Sequence, residues 1–145
     1  LSNYTEQVPN PDSRITLADK RDLLGLPMAK VDWRLCELDR HGIRVAHGII
    51  HKEVERSGFG HMQVQLPGTE DEILAGSKGG AHHMGTTRMN DNPKEGVVDA
   101  DCRVHGLHNM FIAGASVFPT GGYANPTFTI LAMAIRLADH IKKLC

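Results

Sequence analysis

The residues best suited to chemistry lie in the second half of the chain. His82 and His83 stand together in a glycine-rich stretch, Gly79-Gly80-Ala81-His82-His83-Met84-Gly85-Thr86. An imidazole titrates near neutral pH and is a good general base there. In an extended loop the two rings point to opposite sides. A second feature is Asn125-Pro126-Thr127, which opens an apolar-periodic run. Asn suits an N-cap and Pro the first helical position, so free N–H groups and the positive end of a helix dipole converge there, ready for a developing negative charge. A third is Gly114-Ala115-Ser116, which stops the apolar run Met110-Phe111-Ile112-Ala113. Backbone N–H groups with so little side-chain bulk can approach a phosphate or cofactor closely. The last two features also suit an ordinary capped helix and an ordinary strand end. His105 and His108 could join His82 and His83 around a metal, but they straddle Gly106, and no cysteine or carboxylate spacing supports such a site.

These groups need elements to position them. Arg14-Ile15-Thr16-Leu17 and Lys30-Val31-Asp32-Trp33-Arg34-Leu35 read as two strands that pair, with the charged cluster Asp19-Lys20-Arg21-Asp22 leading into the loop between them. Ile43, Ala46, Ile49, Ile50 and Val54 recur at helical spacing and predict a helix from about Glu37 to Arg56, ended by Ser57-Gly58. His41, His47, His51 and His61 lie on or beside it and are expected to be solvated. Phe59 to Ser77 reads mostly as loop. Gly96 to Asp99 and Cys102 to Val104 read as short extended pieces, and Met110 to Ala113 as a strand buried on both faces. From Thr127 onward, Phe128, Leu131, Ile135, Ala138 and Ile141 form an apolar helical stripe, with His140, Lys142 and Lys143 at the cation-favouring end.

Composition bounds what such a chain can be. It has 145 residues, 41% hydrophobic and 23% charged, with a formal net charge of −1. That is length for one domain and a real core. A balanced charge argues against a broad nucleic-acid-binding face, which needs an excess of Lys and Arg. No apolar run approaches the ~20 residues of a membrane span, and no secretory leader pattern opens the sequence. Three cysteines without a C-x-x-C pair form neither a disulfide framework nor a zinc signature, a mild pointer to a reducing compartment. Compartment otherwise stays open between cytoplasm and periplasm. Nine histidines and fifteen glycines are many for this length, and the first residue is Leu rather than Met. That start is read as a trimmed or processed chain, or as a piece of something longer.

The second half resembles one family closely. His82-His83-Met84-Gly85-Thr86-Thr87-Arg88-Met89, Gly96-Val97-Val98-Asp99, Arg103 through Ser116, Pro119 and Ala124-Asn125-Pro126-Thr127 are similar, in order and spacing, to the C-terminal signature of glucose–methanol–choline (GMC) oxidoreductases. The stretch Asn10-Pro11-Asp12-Ser13-Arg14, followed by Asp32-Trp33-Arg34, resembles the sheet of the family's substrate domain. The Thr-Thr-Arg-Met and Asn-Pro-Thr variants look most like the bacterial sugar/polyol dehydrogenase and pyranose oxidase branches. The resemblance implies an α+β or α/β architecture. Residues 1–76 would be part of a substrate-binding domain. Residues 77–145 would supply the active-site loop, strand and terminal helix that complete an FAD-binding domain.

It also implies roles. His82 matches the family's catalytic histidine and Asn125 the second active-site position. Gly114 and Ala115, at the strand end, and Pro126 and Thr127, at the helix start, would lie against FAD. The expected reaction is base-assisted hydride transfer from a CH–OH group to flavin N5. The expected partners are an alcohol or sugar substrate and an N-terminal FAD-binding half of the same protein. This chain has no G-x-G-x-x-G turn, so it resembles the C-terminal part of a larger flavoenzyme, with neither nucleic acid nor a membrane span involved and oligomeric state open. The family often has Gly where Asn90 stands; Asn tolerates left-handed geometry, so the turn is expected to survive. The alternative is a non-catalytic metal-binding or interaction module derived from the family.

Overall fold

A computed structural model describes residues 4–63 and 79–144. The boundary expected between residues 76 and 77, and the loop expected over 64–77, lie outside the described residues.

Strand β1 (Arg14–Arg21) pairs antiparallel with β2 (Pro27–Asp32), in the register Arg14↔Asp32, Ile15↔Val31 and Leu17↔Ala29. The ribbon is longer at its tip than the sequence pattern implies, because the turn sits at Asp22. Its Oδ1 accepts the N–H groups of Leu24 and Leu26, both at 2.9 Å, which lets the charged cluster stay in the strand. At the other end the strand stops before Trp33. The Trp33 indole N–H donates to the Gln7 side-chain oxygen at 2.6 Å, and the Arg34 N–H donates to the Ser13 hydroxyl at 3.2 Å. One ribbon face carries Ile15, Leu17 and Val31, all exposed.

Helix α1 (Glu37–Ser57) starts where the Asp39 carboxylate accepts the Cys36 N–H at 2.8 Å and the Val8 N–H at 2.7 Å. Acidic residues in its first turn and Arg56 in its last complement the dipole. Gly58, at φ +66°, ends it. Ile43, Ala46, Ile50 and Val54 are half-buried and Ile49 is exposed. His41 and His61 are exposed, as expected, whereas His47 and His51 are half-buried.

The core belongs to the second half. Val98, Cys102, Val117 and Leu137 are its buried members, with Met89, Phe111, Phe118 and Met133 among the residues packed around them. Leu137 and Met133 come from helix α2 (Thr127–Lys142) and Val117 from a short 3-10 turn; the others come from irregular chain stitched by isolated bridges, Met89↔Val98, Val98↔Val104 and Arg103↔Phe111. The run Met110–Ala113 is not the doubly buried strand its composition implies. Its bonded edge meets residues 102–104, through Val104 N–H to Met110 O and Ile112 N–H to Cys102 O, both at 2.9 Å. No ladder covers its other edge among the described residues, and Met110 is exposed. Helix α2 is apolar on two sides. Met133, Leu137 and Ile141 face this core, while Phe128, Leu131 and Ile135 are exposed.

The turn 99–103 fixes the bottom of the core around one carboxylate. Asp99 Oδ1 accepts the N–H groups of Asp101 at 2.9 Å and Arg103 at 3.0 Å, while Oδ2 accepts Arg103 Nε at 3.1 Å. Partial burial pushes this carboxyl up, but those N–H donors and the guanidinium outweigh it and hold it below its ordinary value. A depressed folded-state value stabilises the fold above the unfolded-state pKa, and the benefit is lost as pH falls through the folded one. Asp99→Asn is therefore expected to cost about 1 kcal/mol at neutral pH. Thermal melts at a series of pH values should show the gap from wild type closing in acid below the ordinary aspartate range. A gap independent of pH would contradict this account.

Candidate active site

Three backbone hydrogen bonds lace the histidine loop to the turn that follows Gly114. Gly85 N–H donates to Ala115 O at 3.2 Å, Thr87 N–H to Ser116 O and Met89 N–H to Val117 O, both at 2.9 Å. The acceptors lie in a short 3-10 turn, Ala115–Val117. Two backbone features direct the loop. Ala81 takes a left-handed conformation at φ +58°, a costly one for an L residue, immediately before His82. Gly85, at φ +79°, leaves only 3.3 Å between the Phe118 carbonyl oxygen and the place a β-carbon would occupy. His82 and His83 are both exposed on this loop.

The next turn, 119–124, leads into α2 and is held by the same loop. Arg88 Nη2 donates to Pro119 O at 3.4 Å. The Met84 methyl lies 2.9 Å from where a β-carbon on Gly121 would stand, so Gly121 gives it room. Pro126, not Asn125, is the N-cap of α2; it is already helical at φ −79° and ψ −7°, and no side-chain hydrogen bond caps the helix. Asn125 is thus at the helix head without capping it, and it is exposed. The first helical bond runs from Ile130 N–H to Pro126 O at 2.9 Å, so the N–H groups of Thr127, Phe128 and Thr129 precede the ladder.

A cavity of about 380 Å³ lies between this turn and α2, lined by Asn125, Pro126, Phe118, Thr129, Met133 and Arg136 among others. It brings Asn125 and buried Pro126 together. His82, Gly114, Ala115 and Thr127 are not in its lining. Gly114 and Ala115 are half-buried beside the histidine loop, and Thr127 is exposed.

Asn90 differs from its sequence reading. Its backbone is not left-handed; instead its Oδ1 accepts Asn92 N–H at 2.8 Å, so a side-chain-closed turn replaces a glycine-type one. Its carbonyl accepts His105 Nε2–H at 2.8 Å, which occupies that nitrogen. Among the described residues no three His, Cys, Asp or Glu side chains group to hold a metal, and no helix is long and apolar enough to cross a membrane. Sequence reasoning gave no role to Glu6, Met84 or Arg88. Met84 and Arg88 carried a signal through their place in the stretch from His82 to Met89; Glu6 carried none.

Similarity to known proteins follows the same residues. The chain is 33% identical over 142 residues to 2-methyl-1,2-propanediol dehydrogenase of Mycolicibacterium austroafricanum, covering 97% of this chain and 24% of the relative. It is 29% identical over 137 residues to the fructose dehydrogenase large subunit of Gluconobacter japonicus, covering 94% of this chain and 24% of that one. It thus spans about a quarter of the length of the curated relatives it matches. Among solved structures, pyridoxine 4-oxidase from Mesorbium loti superposes with a TM-score of 0.56 at 27% identity, over 79% of this chain and 24% of the other. The family model for GMC oxidoreductases matches residues 9–134, from the hairpin through the histidine loop and into α2, and the chain belongs to that family.

Proposed function

We propose that the chain is the C-terminal part of an FAD-dependent oxidoreductase acting on CH–OH groups of alcohols or sugars. GMC oxidoreductases are flavoproteins. The observation that carries the reading is the lacing of the His82 loop to the Ala115–Val117 turn, beside the head of α2. The backbone there fits a flat cofactor. Gly114, at φ +118° and ψ −178°, occupies a region essentially reserved for glycine, and nothing stands within 4 Å of where its β-carbon would be. Ala115 adds only a methyl group. The free N–H groups at the start of α2 favour negative charge where they point.

When bound, the flavin supplies the hydride acceptor. His82 takes the proton of the substrate hydroxyl. Asn125 donates an amide N–H to the substrate oxygen as negative charge grows on it. Gly114, Ala115, Pro126 and Thr127 are the residues that would hold the flavin. Residues 1–76 belong to the substrate-binding part and residues 77–145 to the part that completes the flavin domain.

The remaining partner is the N-terminal half of the same protein. Its docking is supported by apolar side chains that this chain leaves uncovered: Phe128, Leu131 and Ile135 on α2, and Ile15, Leu17 and Val31 on the ribbon. A complete purified protein is expected to be yellow and to bleach on anaerobic mixing with a responsive alcohol or sugar from a panel. The isolated 145-residue chain is expected to be colourless and prone to aggregate. Stoichiometric flavin on the isolated chain would remove the need for the other half. A complete protein without flavin would overturn the reading, and a stoichiometric transition metal lost on mutating His105 and His108 would favour the metal-binding alternative.

A further inference from the structure

The turn 119–124 delivers Asn125 to the head of α2 yet contains no helix or strand. It is held from outside at three points. Two come from the histidine loop: Arg88 on the Pro119 carbonyl and the Met84 methyl against Gly121. The third comes from the other end of the chain, where a Glu6 carboxylate oxygen accepts the Gly121 N–H at 2.9 Å, across 115 positions of sequence. The residues beside Glu6 are themselves fastened. Gln7 donates to Arg34 O at 2.9 Å and accepts from the Trp33 indole at 2.6 Å, and Val8 N–H donates to Asp39 at 2.7 Å. Glu6 therefore reaches the turn from a backbone tied to the end of β2 and the head of α1. A charged acceptor on an anchored backbone holds a peptide N–H in place more firmly than water can.

We propose that Glu6 is a positioning residue for the site: by holding the Gly121 N–H it sets the turn that aims Asn125. The role rests on the reading of Asn125 given above. It also gives the first half of the chain a direct hold on the catalytic half, independent of substrate contact. Gly121 suits the arrangement because the Met84 methyl fills the space a side chain would need.

The test uses the complete protein with Glu6→Ala, Glu6→Gln and Asn125→Ala. Glu6 is exposed, so both variants at that position are expected to fold. In Glu6→Ala, amide hydrogen exchange of the peptide spanning 119–125 should rise about tenfold, while peptides from α1 stay unchanged. Glu6→Gln, whose amide oxygen still accepts, should restore most of the protection. Anaerobic flavin reduction should slow about tenfold or more in Glu6→Ala, since small misplacements of a positioning group are costly. It should slow no further when Glu6→Ala is added to Asn125→Ala. Unchanged exchange in Glu6→Ala, or losses that add fully to those of Asn125→Ala, would overturn the proposal. The exchange measurement needs no flavin, so it decides the hold on the turn even if the oxidoreductase reading fails.

Discussion

Replacing His82 by alanine in the complete protein is expected to slow substrate-driven flavin reduction ~100-fold or more, the usual worth of a positioned general base. A hydride cannot leave a carbinol carbon readily while the hydroxyl keeps its proton, and His82 is the group assigned to remove it. Its neighbour supplies the control. His83 is exposed on the same loop, so His83→Ala removes an equal volume from the same backbone and should change the rate little. Anaerobic stopped-flow absorbance reads the step directly, without the complication of reoxidation. Added imidazole should recover part of the lost rate in His82→Ala, because a missing base can be replaced from solution whereas a missing strut cannot. An unchanged rate, or a loss that falls on His83→Ala instead, would take His82 out of the base role.

Much of this arrangement is legible in the sequence because it is local. Gly58 ends α1 at positive φ, the two strands pair, and α2 begins two residues after Asn125. Each depends on residue types acting within a few positions. The misread features depend on partners distant in sequence. Met110–Ala113 has the composition of a strand buried on both faces, but layers to cover both faces must come from elsewhere in the chain, and among the described residues Met110 and Ala113 stay exposed. Periodicity picked out Phe128, Leu131, Ile135, Ala138 and Ile141 as the apolar stripe of α2; of these only Ile141 packs on the core here, beside Met133 and Leu137, and the other four are exposed. A helix apolar on two sides offers both stripes, and its own sequence does not say which one this chain covers. The Glu6 to Gly121 bond lies beyond any local pattern, since its ends are 115 residues apart. The same holds for the histidine loop: the backbone bonds that tie Gly85, Thr87 and Met89 to the Ala115–Val117 turn appear only in the fold.

Gly96→Ala is expected to destabilise the protein by about 3 kcal/mol, because a β-carbon there would meet the closest contacts found at any glycine among the described residues. The glycine is not needed for its torsions, since its φ is not positive. It is needed for space. A β-carbon there would lie 2.5 Å from Asn90 Cβ, 2.7 Å from Asn90 N and 2.9 Å from Arg88 O. Two of those atoms are backbone and the third is the first atom of a side chain, so none can swing aside. The atoms it would displace also hold the core together. Arg88 O accepts Val97 N–H at 2.8 Å, and Asn90 N–H donates to Val98 O at 3.0 Å, which seats fully buried Val98. Opening that contact loosens Val98 from Val117 and Leu137 in the core. It also disturbs Arg88 and Met89, the end of the loop that carries His82. Gly79→Ala is the matched control, because nothing lies within 4 Å of its β-carbon position. Thermal melts of the two variants should separate clearly, with Gly79→Ala near wild type. Hydrogen exchange at Val97 and Val98 should rise in Gly96→Ala alone. Equal melting temperatures would mean that the Arg88–Val98 segment can shift at little cost, and that the histidine loop is held less rigidly than its hydrogen bonds imply.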